Sequence, residues 1–131
     1  MHQGEVYFRI WGDDFDPDLV TERTGLVPTR IARRGLPTPR HSAWVLSSGK
    51  IEGELIDVYA LSNALVAQLV EHTSTLRSLI QEHDLSAVLQ VVLRFSNNPS
   101  ISMPAVGFES FTVAFLAGIG ASIDVDTYQA G

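Results

Sequence analysis

Four arginines, Arg30, Arg33, Arg34 and Arg40, stand close together and are followed by His41 and Trp44. A guanidinium fork matches the paired oxygens of a carboxylate or phosphate, and an indole face suits stacking. Arg30, Arg33, Arg34, Arg40 and Trp44 are therefore the candidate binding set, for an anionic ligand or for a partner surface. The competing reading is that these arginines are solvated or paired with nearby acids, as surface arginines often are. Loops carry function more often than they carry packing, which keeps the binding reading in play.

The acids just upstream, Asp13, Asp14, Asp16, Asp18 and Glu22, raise the question of a cation site. Asp14, Asp16 and Asp18 mimic the first three ligands of a calcium loop. However, Leu19 stands where the sharp turn needs glycine, and Gly25 where the bidentate acid belongs. Helix initiation accounts for the acids better, because Asp caps free N–H groups and suits the positive end of the helix dipole. His41, His72 and His83 lack metal-ligand spacing. Ser47-Ser48-Gly49 is not a nucleophile elbow, and no phosphate-cradling glycine loop is present. No catalytic residue, metal ligand or cofactor is assigned. Trp11 and Trp44 read as sheet packing before they read as base-stacking platforms.

Composition narrows the classes. The chain has 131 residues, 45% of them hydrophobic and 18% charged, which suits a single globular domain, residues 1–131, with its own core. It has no cysteine, so disulfides and thiolate chemistry are excluded. The start, MHQGEVYF, lacks the basic and apolar parts of a secretion signal, and no run of about 20 apolar residues exists to span a bilayer. A cytoplasmic protein with no membrane partner is the expectation. The net charge of −6 argues against nucleic acid as a partner. Between Glu22 and Glu52 there is no acid, yet Arg23, Arg30, Arg33, Arg34, Arg40 and Lys50 all fall there. An acidic body thus carries one basic segment.

The elements that must position this segment follow from periodicity. Residues 5–11 alternate, with Val6, Phe8 and Ile10 on one face and Glu5, Tyr7, Arg9 and Trp11 on the other, which predicts a strand. Asp16-Pro17 opens a short helix, Phe15 and Val20 form a hydrophobic staple across its start, and Gly25 ends it with Leu26 folding back. Residues 29–40 read as a loop with a short strand at 30–33. Residues 41–48 read as a strand, with Ala43 and Val45 opposed to Trp44 and Leu46. Val58, Leu61, Leu65 and Leu69 form a helical stripe that falters near Thr73 and resumes at Leu76, Leu79 and Ile80. Thr73 or Ser74 is expected to cap the second part, and Asp84 to close it. Residues 87–95 are apolar on both faces and predict a central strand. Residues 101–108 predict a strand interrupted by Pro104. Ser110 is expected to cap a helix ended by Gly118 and Gly120. Residues 122–128 predict a last strand, Ile123 and Val125 inward, Asp124 and Asp126 outward, with a frayed tail beyond Tyr128.

This order predicts an α+β two-layer sandwich: a mainly antiparallel sheet of about five strands, helices on one face, ferredoxin-like or an elaboration of it. The stretches FRIWGDDFDPDLVTERTGLVPT at 8–29, RRG at 33–35, SAWVLSS at 42–48 and GASIDVDTY at 120–128 resemble the family called domain of unknown function 4279. The resemblance implies a small bacterial domain and carries over no catalytic residue. The function expected is a non-enzymatic binding protein, of immunity or regulatory type, acting on a protein partner by surface complementarity. The acidic body suits a cationic partner such as a nuclease toxin. The alternatives are a domain or minor enzyme holding an anionic ligand at residues 30–40, and a homodimeric scaffold joined through residues 87–95 or an edge strand.

Overall fold

The computed structural model describes residues 1–129. Its elements, in chain order, are β1 (His2–Gly12), α1 (Asp18–Thr24), β2 (Arg30–Ala32), β3 (Ser42–Ser47), β4 (Ile51–Gly53), α2 (Val58–Leu69), α3 (Thr73–Glu82), β5 (Ser86–Phe95), α4 (Ser110–Ile119) and β6 (Ser122–Gln129). A single 3₁₀ turn, Val70–His72, joins α2 to α3. Among the described residues no helix is long and apolar enough to cross a membrane.

The strands form one sheet in the order β2-β3-β1-β5-β6, and β4 also pairs with β1. Every neighbour pair is antiparallel except β5–β6. The order contains two split β-α-β units. In the first, β1 and β2 are joined through α1 with β3 between them. In the second, β3 and β5 are joined through α2 and α3 with β1 between them. The α+β class and the ferredoxin-like plan therefore hold, elaborated by the β4 insertion and by α4–β6, which adds a sixth strand at one edge. Both sides of β5 are occupied, so backbone pairing between two copies through residues 87–95 is closed; among the described residues the strand order ends at β2 and β6, and the short β4 pairs on one side only, with β1.

The alternation expected at 5–11 decides where the core sits. Val6, Phe8 and Ile10 join Trp44 and Leu46 of β3 and Leu89, Val91 and Leu93 of β5 beneath the helices. From above come Val58, Leu65, Val66 and Leu69 of α2, Leu76 and Leu79 of α3, and Phe115, Leu116 and Ile119 of α4. The start of α1 follows its local chemistry. The Asp16 carboxylate accepts from the Asp18 N–H at 3.0 Å, Phe15 and Val20 are buried, and Gly25 takes φ 75° while its N–H bonds Thr21 O at 2.8 Å. Asp84, at φ 52°, follows the end of α3. His2 is buried. Its Nε2 bonds the Ser102 carbonyl at 2.7 Å, and its Nδ1 accepts from the Ser96 N–H at 2.8 Å, tying the start of β1 to the loop after β5.

Several expectations are corrected. Residues 101–108 form no strand. Pro104 has no N–H to give a ladder, and the segment contributes one isolated bridge, with the Ala105 N–H on Ile56 O and the Val58 N–H on Ala105 O, both at 2.9 Å. The short β4 lacks any periodic signal, being three residues long. Neither Thr73 nor Ser74 caps α3; the Thr73 hydroxyl donates back to Val70 O at 2.6 Å. Ser110 is the first helical residue of α4 rather than its cap. Ile123 and Val125 do share a face with Leu89 and Val91, but each is 37% exposed, because β6 lies beyond the helical layer. Gln129 still belongs to β6, and the rest of the expected frayed tail lies outside the described residues.

Candidate functional site

Because the core helices pack on one side, the other face of the sheet is left without a helical cover. Pairing register places Tyr7, Arg9 and Trp11 of β1 beside Ser47, Val45 and Ala43 of β3, and Arg30 of β2 beside Val45. The loop between β2 and β3 folds partly over this face. With the strands it forms a recess of about 250 Å³ whose lining includes Tyr7, Arg9, Arg30, Arg40 and His41. A second recess, about 400 Å³, lies where β3 gives way to β4 and is lined in part by Glu5, Lys50, Glu52 and Arg94.

Arg30 and Arg9 at the first recess have different anchors. Arg30 Nη1 bonds Glu5 Oε2 at 3.2 Å, its guanidinium lies 4.9 Å from the Tyr7 ring centre, and the Ser47 hydroxyl donates to the same carboxylate oxygen. Glu5 is nearly buried, its side chain 11% exposed, against 47% for Arg30. Arg9 stacks on Trp11 at 4.5 Å. Among the described residues neither Arg9 nor Arg40 has a carboxylate within ion-pair distance. Burial holds the Arg9 guanidinium below the usual arginine range, with neighbouring Tyr7 acting in the opposite direction. Burial also raises the Tyr7 phenol above the ordinary tyrosine value; Arg30 and Arg9 oppose that shift, and Glu5 and Asp126 add to it.

The five residues singled out from the sequence separate here. Arg30 and Arg40 line the recess. Arg33 is turned to the acidic turn, donating to Asp18 Oδ2 at 2.8 Å and Asp16 Oδ1 at 3.3 Å. Those hydrogen bonds, Asp18 first, raise its pKa above the usual arginine value. Arg34 bonds the Asp13 carbonyl at 3.2 Å, and its N–H bonds the Ser42 hydroxyl at 2.8 Å. Trp44 is fully buried on the helix side, with Nε1 donating to Thr21 Oγ1 at 3.1 Å, so it faces away from the recess. His41 Nδ1 meets Asp13 Oδ1 at 2.8 Å. The turn thus holds the loop on both sides of Arg40 in sequence: the Asp16 and Asp18 carboxylates accept from Arg33, the Asp13 carbonyl accepts from Arg34, and the Asp13 carboxylate meets His41. Gly35 is required in that loop, since a Cβ there would meet the Thr38 carbonyl.

Tyr7, Arg9 and Trp11 were placed on the non-core face by their alternation but were not in the candidate set. The signal that finds them is an arginine between two aromatics on the strand face that no helix covers. The model for the domain of unknown function DUF4279 matches residues 2–130. The chain belongs to the DUF4279 family. No curated protein and no solved structure matches it. For this DUF4279 domain, function must therefore be argued from its own surfaces.

Proposed function

We propose that this domain is a non-enzymatic binding protein, of immunity or regulatory type, which engages a protein partner through the uncovered face of its sheet. The observation that carries the reading is the Arg9–Trp11 and Arg30–Tyr7 pairing beside Arg40, on a face without helices. Tyr, Trp and Arg are the residues enriched where proteins bind each other, and stacked guanidiniums lose little freedom on docking. Among the described residues Arg9 and Arg40 have no carboxylate within ion-pair distance, so an acidic side chain or a chain-terminal carboxylate from the partner suits the recess. The opposite edge, at Asp124 and Asp126, is acidic, so the face as a whole favours a bipolar partner and fixes its orientation. A bacterial, cytoplasmic setting belongs to the same proposal.

The test is affinity capture from the native host with the wild type and with a folded Arg9→Glu/Arg40→Glu variant. A partner held by the wild type and lost by the variant supports the reading. If a neighbouring toxin is the partner, its neutralisation must be lost in parallel. Identical recovery by both proteins removes the sheet face from consideration.

The recess itself favours a second reading, a small anion held by Arg9, Arg30 and Arg40. Calorimetric titration with inorganic phosphate and with a tricarboxylate decides it. Saturable one-to-one binding abolished by Arg40→Glu supports this reading, and no heat above dilution rejects it.

A further inference from the structure

Among the described residues the strand order ends at β2 and β6, and these two edges are built differently. β2 is three residues long, with Pro28 before it and Pro37 and Pro39 after it. Such an edge offers little to pair with. β6 runs for eight residues, pairs with β5 without interruption from Ser122 to Gln129, and contains no proline, lysine or bulge. All eight residues are exposed. α4 packs on α2 and α3, while β5 is the principal neighbour of β6. The outer N–H and C=O groups of β6 are thus available along its whole length.

Its side chains form two rows. Ser122, Asp124, Asp126 and Tyr128 share the uncovered face with Val88, Gln90, Val92 and Arg94. Ile123, Val125 and Thr127 share the helix side with Leu89, Val91 and Leu93, and there the two apolar residues are each 37% exposed. Asp126 accepts from Gln90 Nε2 at 3.1 Å, whereas Asp124 has no partner among the described residues.

A second copy of this chain fits the edge poorly. Antiparallel self-pairing centred on Val125 puts Asp124 opposite Asp126 twice, and centring on either acid puts that acid against itself. Like charges directly opposite each other destabilise a strand pair. Registers that avoid this clash shorten the overlap. The edge is guarded against itself by charge, and that same charge selects a cation.

We propose that β6 is a docking edge for an extended, cationic segment of a partner protein, which adds as a further strand. The segment alternates lysine or arginine with apolar residues. Its cations lie opposite Asp124 and Asp126, its apolar side chains cover Ile123 and Val125, and its backbone completes the outer hydrogen bonds. Backbone pairing supplies sequence-independent affinity, and the alternating rows supply selection. This inference stands apart from the arginine recess and does not need it.

The probe is a synthetic Lys–Val alternating peptide as long as β6, with a soluble fluorescent tail, followed by anisotropy at low salt and by amide hydrogen exchange. The expected result is saturable binding with new protection of β6 amides. Asp124→Lys, at an exposed edge position without a partner among the described residues, and Asp124→Lys/Asp126→Lys should weaken it by about tenfold or more, from the loss of cross-strand charge pairs. The double variant should gain binding to a Glu–Val alternating peptide of the same length. The recess reading is scored separately, by partner capture with Arg9→Glu/Arg40→Glu, so failure of that reading and failure of this one are distinguishable. Equal binding of a backbone N-methylated peptide, or of a peptide with the lysines in one block, would show charge adhesion only and overturn the proposal. No binding, or a dimer whose β6 amides are already protected, overturns it as well.

Discussion

Arg30 on β2 and Arg9 on β1 both lie on the uncovered face with β3 between their strands, yet their replacement should have different consequences. Arg30→Met keeps the aliphatic stem and removes the guanidinium. It leaves the Glu5 carboxylate, 11% exposed, with the Ser47 hydroxyl as its remaining side-chain donor. A hydrogen bond to a charged group is worth roughly 1.5–3 kcal/mol net, and the half-exposed Arg30 is partly screened, so about 1–2 kcal/mol is expected. For a chain of 131 residues this lowers Tm by roughly 4–7 °C. Arg9→Met loses the stack on Trp11, on the order of 0.5–1 kcal/mol, but also releases a guanidinium whose charge is disfavoured by burial. These effects oppose each other, and stability should stay within about 0.5 kcal/mol of wild type. Scanning calorimetry and urea denaturation measure both. Glu5→Gln combined with Arg30→Met should cost less than the two separately, with coupling of about 1 kcal/mol, because the stranded charge is gone. If Arg9→Met costs as much as Arg30→Met, Arg9 is structural and the argument that it awaits an outside carboxylate fails. Stability retained together with lost partner capture is the signature of a residue kept for binding.

Two further predictions concern the interior and the same face. The Tyr7 phenol ionises above the usual tyrosine value near 10, so across that alkaline window the folded state holds a proton the unfolded state has released. Its contribution to stability is complete below the unfolded pKa and is lost as pH rises through the folded one; Tyr7→Phe should flatten that part of the denaturation profile, and an unchanged slope refutes the assignment. The Thr112 hydroxyl is buried without a hydrogen-bond partner among the described residues, so Thr112→Val should raise stability by about 1 kcal/mol in thermal melts. A fall instead would mean the hydroxyl is satisfied in solution.

What the sequence makes legible is what local chemistry dictates. The strand at 5–11, the start of α1 at Asp16 and its stop at Gly25 each depend on neighbours a few residues away. Those expectations match β1 and α1 closely. The break between α2 and α3 near Thr73 is legible for the same reason. The cap residues of α3 and α4 are not, because Ser and Thr at a helix start can equally donate back to a preceding carbonyl, as Thr73 does. The strand expected at 101–108 failed because Pro104 has no N–H to give a ladder, and the segment meets residues 56–58 only through the isolated Asp57–Ala105 bridge.

The candidate site shows the same division more sharply. Arg30, Arg33, Arg34 and Arg40 look equivalent in one dimension, and only pairing across strands tells them apart. Arg33 and Arg34 reach back to a turn some twenty residues earlier, which makes the acidic turn and the basic loop a single clasp. That clasp spends two of the four arginines on architecture. Arg40 is left at its free end, facing a strand whose own arginine, Arg9, lay outside the basic segment altogether. Trp44 was drawn in by proximity in sequence, but alternation along β3 sends it to the opposite side of the sheet from Val45 and the recess. Sequence clustering of charge therefore located the clasp, and the working surface is what the clasp holds in place. A variant that cuts the clasp without touching the recess, such as Asp18→Asn, should on this reasoning weaken partner binding by loosening Arg40. It should do so while the sheet core, which draws nothing from Asp18, remains intact.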